Sequence, residues 1–440
     1  MWPSHERKIT LDTAHTSDEE SNVGNQLRVL TNSERGTFAC QRRWRFKYLD
    51  GLTTKDASAP LRQGSLGHEC IATWYRSGGQ MTVDDIADQV IEPWLERRQE
   101  WIESHLGREE ADEAHQEDVE IAKLTFGILC GYVMEYAADF DRYEVLLIEG
   151  QVARAIPDNR KVGRLLSDLP LIDGKRRKRS WVFGGAVDGL LRDKETGLYW
   201  LLEHKHTSET DLERYCSKLD WDPQSPGYGW ALANPHPAAD LQEPIKVAGV
   251  LYNVMRKKLP AEPKQKKDGT TSKAACDTTY EVFLNTLLDR GENPDDFRDR
   301  LDQLRERRFF YRQQHPILEA EFDRFESELG HQAQAIKQAS HPKHHHLRQF
   351  SVCTGFQGIR CEFRHVCHDY DGDWHGHGFR LKNIRHEELT GDLAESTTKE
   401  RGIKLGSPEE RARKQSDENE LALAKAFMEN VQPVDAFDGF

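Results

Sequence analysis

Residues 182–208 read VFGGAVDGLLRDKETGLYWLLEHKHTS, and this stretch decides the fold. Val182 to Asp188 is a short apolar strand running into a carboxylate, Asp193 to Gly197 (DKETG) is a turn, and Leu198 to Lys205 is a second strand. Successive strand side chains alternate between faces, so Glu203 and Lys205 point the same way and His204 points to the other. Antiparallel pairing brings Asp188 next to that pair. Two carboxylates and an ammonium at a sheet edge suit a hard divalent cation and a water readied for attack on a phosphodiester. The same three residue types also make ordinary solvated ion-pair faces. Here the charged pair follows the apolar run Tyr199 to Leu202 (YWLL), which favours a buried strand end over an open one.

Working outward, His68 sits in RQGSLGHECIATWY, where Ile71, Ala72 and Trp74 suggest an amphipathic helix with His68 on its apolar side. Gln224 and Tyr228 in DPQSPGYGWAL are four apart, which stacks them on one helix face. Pro226 lies between them, so the helix must begin near Gln224 with proline in its first turn. Cys40 precedes the alternating basic and aromatic run QRRWRFKY. Far downstream, SVCTGFQGIRCEFRHVC carries Cys353, Cys361 and Cys367, with seven and then five residues between them. Thiolates in this number suit an iron–sulfur cluster or zinc on ligand type alone, and buried free cysteines are the plainer alternative.

The ordered string Cys, His, Asp, Glu-x-Lys, Gln-x-x-x-Tyr, Cys, Cys, Cys resembles the PD-(D/E)xK nuclease superfamily in its RecB-like, AddB-like iron–sulfur branch, over about residues 30–370. That resemblance implies an α/β fold: a restriction-endonuclease-like mixed sheet flanked by helices, with additional helical segments. It implies that Asp188, Glu203 and His68, with the His204 backbone carbonyl, hold Mg²⁺ or Mn²⁺. Lys205 would orient or deprotonate water, or stabilise the transition state, and Gln224 and Tyr228 would contact DNA or position the metal site. Glu149, ending the apolar run VLLIEG, is by the same resemblance an auxiliary site residue or an ordinary strand-end carboxylate. Cys40, Cys353, Cys361 and Cys367 would hold a 4Fe–4S cluster joining the two chain ends. The implied activity is a DNA exonuclease of recombination or repair, of phage type. The alternatives are a CRISPR-adaptation-type single-strand nuclease and a non-catalytic DNA-binding assembly factor.

Composition is consistent with an intracellular, cytoplasmic enzyme. The 440 residues are 37% hydrophobic with a mean hydropathy of −0.78, no stretch reads as a signal peptide, and no apolar run reaches membrane length. Net charge is −14, so DNA (single-stranded, or the ends of duplexes) must be held by local basic patches. Candidates are Arg42, Arg43 and Arg45 among Trp44, Phe46 and Tyr48, Lys257 and Lys258 beside Arg256, the run Lys175–Arg179, and Arg305, Arg307, Arg308 and Arg312 around Phe309–Tyr311. The layout expected is a polar tail over 1–27, a nuclease domain over 28–375 and a polar, helical extension over 376–440. Residues 32–140 read as helical, Ile245–Val254 as a buried strand, 264–273 as a mobile loop, and 294–340 as charged helix broken at Pro316. Tyr280 to Leu288 fits strand or helix. A helix start at Ser407-Pro408, and an acidic–aromatic terminus Asp435–Phe440 suited to docking a recombination or single-strand-binding partner, complete the reading.

Overall fold

The computed structural model describes residues 26–382 with short gaps (162, 173–174, 177, 342, 355–360, 369–373, 375–376), and beyond them 385–386, 389 and 393. The Ser407 helix and the Asp435–Phe440 terminus lie outside the described residues. Gln26 and Leu27, placed with the tail on sequence grounds, belong to the first strand.

The hairpin forms where its sequence predicts. Strand β3 (Arg179–Asp193) runs antiparallel to β4 (Tyr199–Thr207), with Gly189 opposite Leu202. In the turn, Asp193 accepts from the backbone of Glu195 and Thr196 at 2.9 and 3.0 Å. Gly197 supplies the φ of +71° that a side chain would disfavour. The other edge of β3 carries β2 (Tyr143–Ala155), antiparallel, and Ser167–Asp168. On the hairpin side, β1 (Gln26–Leu30) pairs in parallel with Arg179–Phe183, and β5 (Val247–Arg256) lies parallel to β4, followed by antiparallel β6 (Phe310–Pro316). The result is a seven-stranded mixed sheet. Between Phe183, where β1 ends its pairing, and Gly189, where β4 begins, this edge of β3 has no strand partner among the described residues. The sheet forks there, and Asp188 stands in the fork.

Alternation along the strands fills two cores. Leu191, Trp200, Leu202 and Leu251 face a layer made by α1 (Ala59–Arg76), α2 (Glu92–His105) and α3 (Arg108–Glu135), including Trp74 and Tyr132. Phe183, Leu190, Leu201 and Val250 face α4 (Gln224–Ala233) and α5 (Glu319–Ala339), including Trp230 and Phe325. Each such fully buried side chain contributes about 1.5–3 kcal/mol. Helix α4 begins at Gln224 and carries Pro226 in its first turn, as the proline requires.

One reading needs correction and another is decided. Residues 310–316, expected within a charged helix, are β6; Pro316 ends that strand, and α5 starts only at Glu319. The charges there belong to an edge strand, half in solvent. Tyr280–Asp289 resolves as a helix whose Phe283 and Leu287 pack with Phe297, Leu301 and Leu304 into a small separate core. The expected loop 264–273 forms no helix or strand beyond an isolated bridge between Gln265 and Thr271. The helical expectation for 32–140 holds except for the short strand Leu52–Thr54, which pairs antiparallel with Phe379–Leu381 from the far end of the chain. Close by, the fully buried Glu34 accepts from Arg28 at 2.5 Å, from Trp44 Nε1 at 2.8 Å and from Arg385 at 2.9 Å, with His386 Nε2 at 3.2 Å. Among the described residues no helix is long and apolar enough to cross a membrane.

Candidate active site

The fork brings the central sequence motif together. Asp188 Oδ2 accepts from the His204 backbone N–H at 2.7 Å, which locks β3 to β4 at the level of the Glu-His-Lys triplet. Glu203 is 4% exposed, and its Oε1 accepts from Lys205 Nζ at 2.7 Å. Lys205 also lies 3.4 Å from Gln224 Oε1 and 3.4 Å from Asp222 Oδ2. Gln224 Nε2 in turn donates to the Tyr228 hydroxyl at 3.1 Å, the contact that four-residue helical spacing predicts. Tyr228 can lie against β3 because position 185 is glycine: a Cβ there would sit 2.6 Å from the tyrosine ring.

From the opposite layer, α1 delivers His68, whose Nδ1 is 3.3 Å from Asp188 Oδ1 and 3.9 Å from Glu149 Oε1. Glu149 lies between the Ile148–Gly189 and Gly150–Val187 pairs, opposite Asp188. Its φ of +51° is the single left-handed value at a non-glycine residue among those described. A strained carboxylate aimed at the fork supports a site role over an ordinary strand end. One ligand atom each from His68, Asp188 and the His204 side chain fits within a span of 4.8 Å. The sequence reading had assigned His204 only through its backbone carbonyl.

Asp188, Glu203, His204, Lys205, Gln224, His68 and Glu149 line a cleft of about 630 Å³ walled by Pro60, Leu61 and Arg76 from α1 and by Lys257. A second cleft of about 400 Å³, bordered by Thr31–Ser33, Gly185, Asp222 and Tyr228, adjoins it through Gln224.

The charges are unequal. Burial raises the Glu203 carboxyl to about 7, and neighbouring Asp188 adds to the rise against the pull of Lys205. Asp188 is also desolvated, yet His68 and His204 hold it well below the usual carboxylate range. Burial works against charge on His68, but Asp188 and Glu149 outweigh it and bring the imidazole to about 10. Burial likewise opposes charge on Lys205, and Glu203 and Asp222 overcome it, so the ammonium is held firmly protonated. A protonated Lys205 suits orientation and charge stabilisation better than proton acceptance.

The basic candidates separate. Lys257 lines the cleft, with its ammonium donating to Pro60 O at 3.0 Å, whereas Lys258 pairs with Asp277 at 2.9 Å. Arg43 pairs with Glu362 at 3.4 Å and Arg45 with Asp50 at 3.3 Å; neither these nor Arg42 is among the cleft residues. Arg256 and Arg312 are internal ion-pair partners of Asp277 and Asp139 and do not offer a DNA-binding face. The residues sequence reasoning missed are Asp222 and the buried side chains behind His204. Asp222 stands two positions before Gln224 and carried no motif to mark it.

All eight cysteines are free. Burial raises the Cys361 and Cys367 thiols, with a smaller contribution from Cys353 to both and from Cys40 to Cys367. The Gln349 backbone N–H donates to Cys40 Sγ at 3.4 Å.

A search of curated proteins finds no match to this chain. The model of one family, described as the PD-(D/E)XK nuclease superfamily, matches residues 37–368, more than two-thirds of the sequence and every site residue above except Asn32 and Thr31 at the second cleft's rim and Ser33 beside them. A hairpin that sets Asp188 against Glu-His-Lys at a forked mixed sheet, and a family match of that extent, lead to one conclusion: the chain belongs to the PD-(D/E)XK nuclease superfamily, whose members are nucleases that use divalent metals.

Proposed function

We propose that this protein is a metal-dependent DNA exonuclease acting in recombination or repair, with Asp188, Glu203, Lys205, His68, Gln224 and Tyr228 as its working residues. The observation that carries this reading is the convergence of Asp188, Glu203, Lys205 and His68 at the fork, with His68 Nδ1 3.3 Å from Asp188 and Lys205 Nζ 2.7 Å from Glu203. Glu203 and Asp188 are desolvated together, and Lys205 and His68 compensate them incompletely, so Glu203 retains a raised affinity for protons. Carboxylate donors in this state fit Mg²⁺ or Mn²⁺, and the His68 imidazole would join them on releasing its proton. When bound, such an ion neutralises phosphate charge and lowers the pKa of water. The chain's own residues do the rest. Lys205, protonated and fixed by Glu203 and Asp222, faces the charge that builds on the phosphoryl oxygens. Gln224 lines the cleft and is held by Tyr228 from the adjoining one, and Lys257 supplies a cation on the cleft wall.

The exonuclease mode rests on the cysteine group together with the resemblance to the iron–sulfur branch. We take Cys40, Cys353, Cys361 and Cys367 as the ligand set of a nuclease unit spanning residues 28–375, with Arg42, Arg43 and Arg348 partly opposing the burial that raises the Cys361 and Cys367 thiols. That chemistry fits a 4Fe–4S cluster, which would tie the ends into a ring through which a strand is threaded. Purified without oxygen, the protein should absorb near about 400 nm. It should degrade linear DNA only with Mg²⁺ or Mn²⁺ and spare covalently closed circles. Rapid nicking of closed circles would refute the exonuclease mode. Full activity of Asp188→Ala or Glu203→Ala would refute the site.

A further inference from the structure

Behind the fork, on the α1–α3 side, lies a polar chain with no part in the reading above. Arg312 from β6 donates from Nη1 and Nη2 to the two oxygens of Asp139 at 2.6 and 2.7 Å, and from Nε to Asn253 Oδ1 at 2.7 Å. The last contact orients the Asn253 amide, so its Nδ2 donates to the Tyr132 hydroxyl, at 2.6 Å. The Tyr75 hydroxyl donates to Asp139 Oδ2 at 2.5 Å, which uses its only proton. The Tyr132 hydroxyl proton then has two acceptors to choose from, Tyr75 at 3.2 Å and His204 Nε2 at 2.8 Å. The nearer one is His204. Asn253 is fully buried, as is Tyr132, so water does not compete.

We propose that this chain fixes the proton of the His204 ring on Nδ1, making His204 a hydrogen-bond donor to Asp188 rather than a metal ligand. Nδ1 lies 3.4 Å from Asp188 Oδ2, the same oxygen that takes the His204 backbone N–H at 2.7 Å. His204 thus approaches Oδ2 twice, by a backbone hydrogen bond and by a longer Nδ1 contact, and leaves Oδ1, beside His68, as the oxygen free to face the cation. Tyr132 and Asn253 are positioning residues: they touch no substrate and act by setting which nitrogen of His204 carries hydrogen. The proposal rests on the metal-site reading of Asp188.

The test begins with unmutated, metal-free protein labelled with ¹⁵N-histidine, the His204 signals being assigned by their loss in His204→Asn. A directly bonded proton on Nδ1 is expected; a proton on Nε2 overturns the proposal. Calorimetric titration with Mn²⁺ follows. His204→Asn keeps an N–H close to the Nδ1 position and should bind Mn²⁺ much as the unmutated protein does, while His204→Ala should weaken it by about 10- to 100-fold. Equal loss in both variants would mean that the ring itself is a ligand, and would overturn the donor role. Tyr132→Phe should shift the ring toward mixed tautomers and weaken Mn²⁺ binding; an unchanged ring spectrum in a folded variant counts against the relay. If Mn²⁺ affinity is insensitive to Asp188→Asn, the metal-site reading fails instead, and the ring spectrum still reports on the hydrogen-bond chain by itself.

Discussion

Glu34 and Glu203 are the same residue type, both buried, and their surroundings drive them in opposite directions. Around Glu34, burial raises the carboxyl, but Arg28, Arg385 and His386 together outweigh it and hold the group well below its ordinary 4.5. Around Glu203, burial and a second carboxylate prevail over one lysine, and the group rises to about 7. The first site is closed by its own chain. The second is left short of positive charge in a cleft of about 630 Å³. A buried acid is therefore structural or functional according to whether the protein supplies all of its counter-charge.

The comparison is broken most directly at Glu34. Glu34→Gln leaves buried arginines without their anion and should cost about 3–5 kcal/mol, read as a lower denaturation midpoint, with the cleavage rate per folded molecule retained. A variant that melts normally and cuts slowly would place Glu34 in the reaction. Glu203→Gln and Asp188→Asn should do the reverse, lowering turnover by about 10²–10³-fold. In the absence of metal, Glu203→Gln should leave the midpoint unchanged or raised, because it removes repulsion from Asp188. If it unfolds the protein, the charge imbalance has been misjudged.

Adding Mn²⁺ at a hundred times its Kd should stabilise the unmutated protein by about 2.7 kcal/mol. Asp188→Asn should show little of that gain; an equal gain would locate the ion elsewhere. The smallest effect is a slope of at most about 1.4 kcal/mol per pH unit for one group. Glu34, with its lowered folded value, contributes stability above its ordinary 4.5 that disappears as pH falls through the folded value. Glu203, with its raised value, acts oppositely in metal-free protein: its contribution is present below 4.5 and lost as pH climbs from there through about 7. Glu203→Gln should flatten the second limb alone, and chemical denaturation in a chelator across that range checks it.

How much of this was legible in the sequence follows from chain distance. The β3–β4 hairpin was, because its turn residues, strand alternation and charged triplet lie within 27 consecutive positions. Helix α4 was also legible, since Pro226 permits only one start. The strand at Phe310–Pro316 was not: as an edge strand it is half in solvent, and its arginines and glutamines hide the alternation. The fork is a property of where β1 stops, which no local pattern records. Asp222, Tyr132 and Asn253 were invisible for the same reason, each acquiring its role from a partner on another element. Resemblance supplied His68 and the cysteines, which periodicity alone would have left as core histidine and buried thiols.

The clasp on Glu34 has a consequence for biosynthesis. Its bond to Arg385 spans 351 positions. At ordinary translation rates of about 5–20 residues per second, roughly 20 to 70 s separate the emergence of the acid from that of its far cations. Every strand after β1 is made in that interval, while the segment bearing Glu34, which borders the second cleft at Thr31–Ser33, has Arg28 beside it but still lacks Arg385 and His386. Contacts of such high sequence separation also fold slowly. The sheet of the nascent chain is thus complete in sequence before the wall beside it can close on Arg385 and His386.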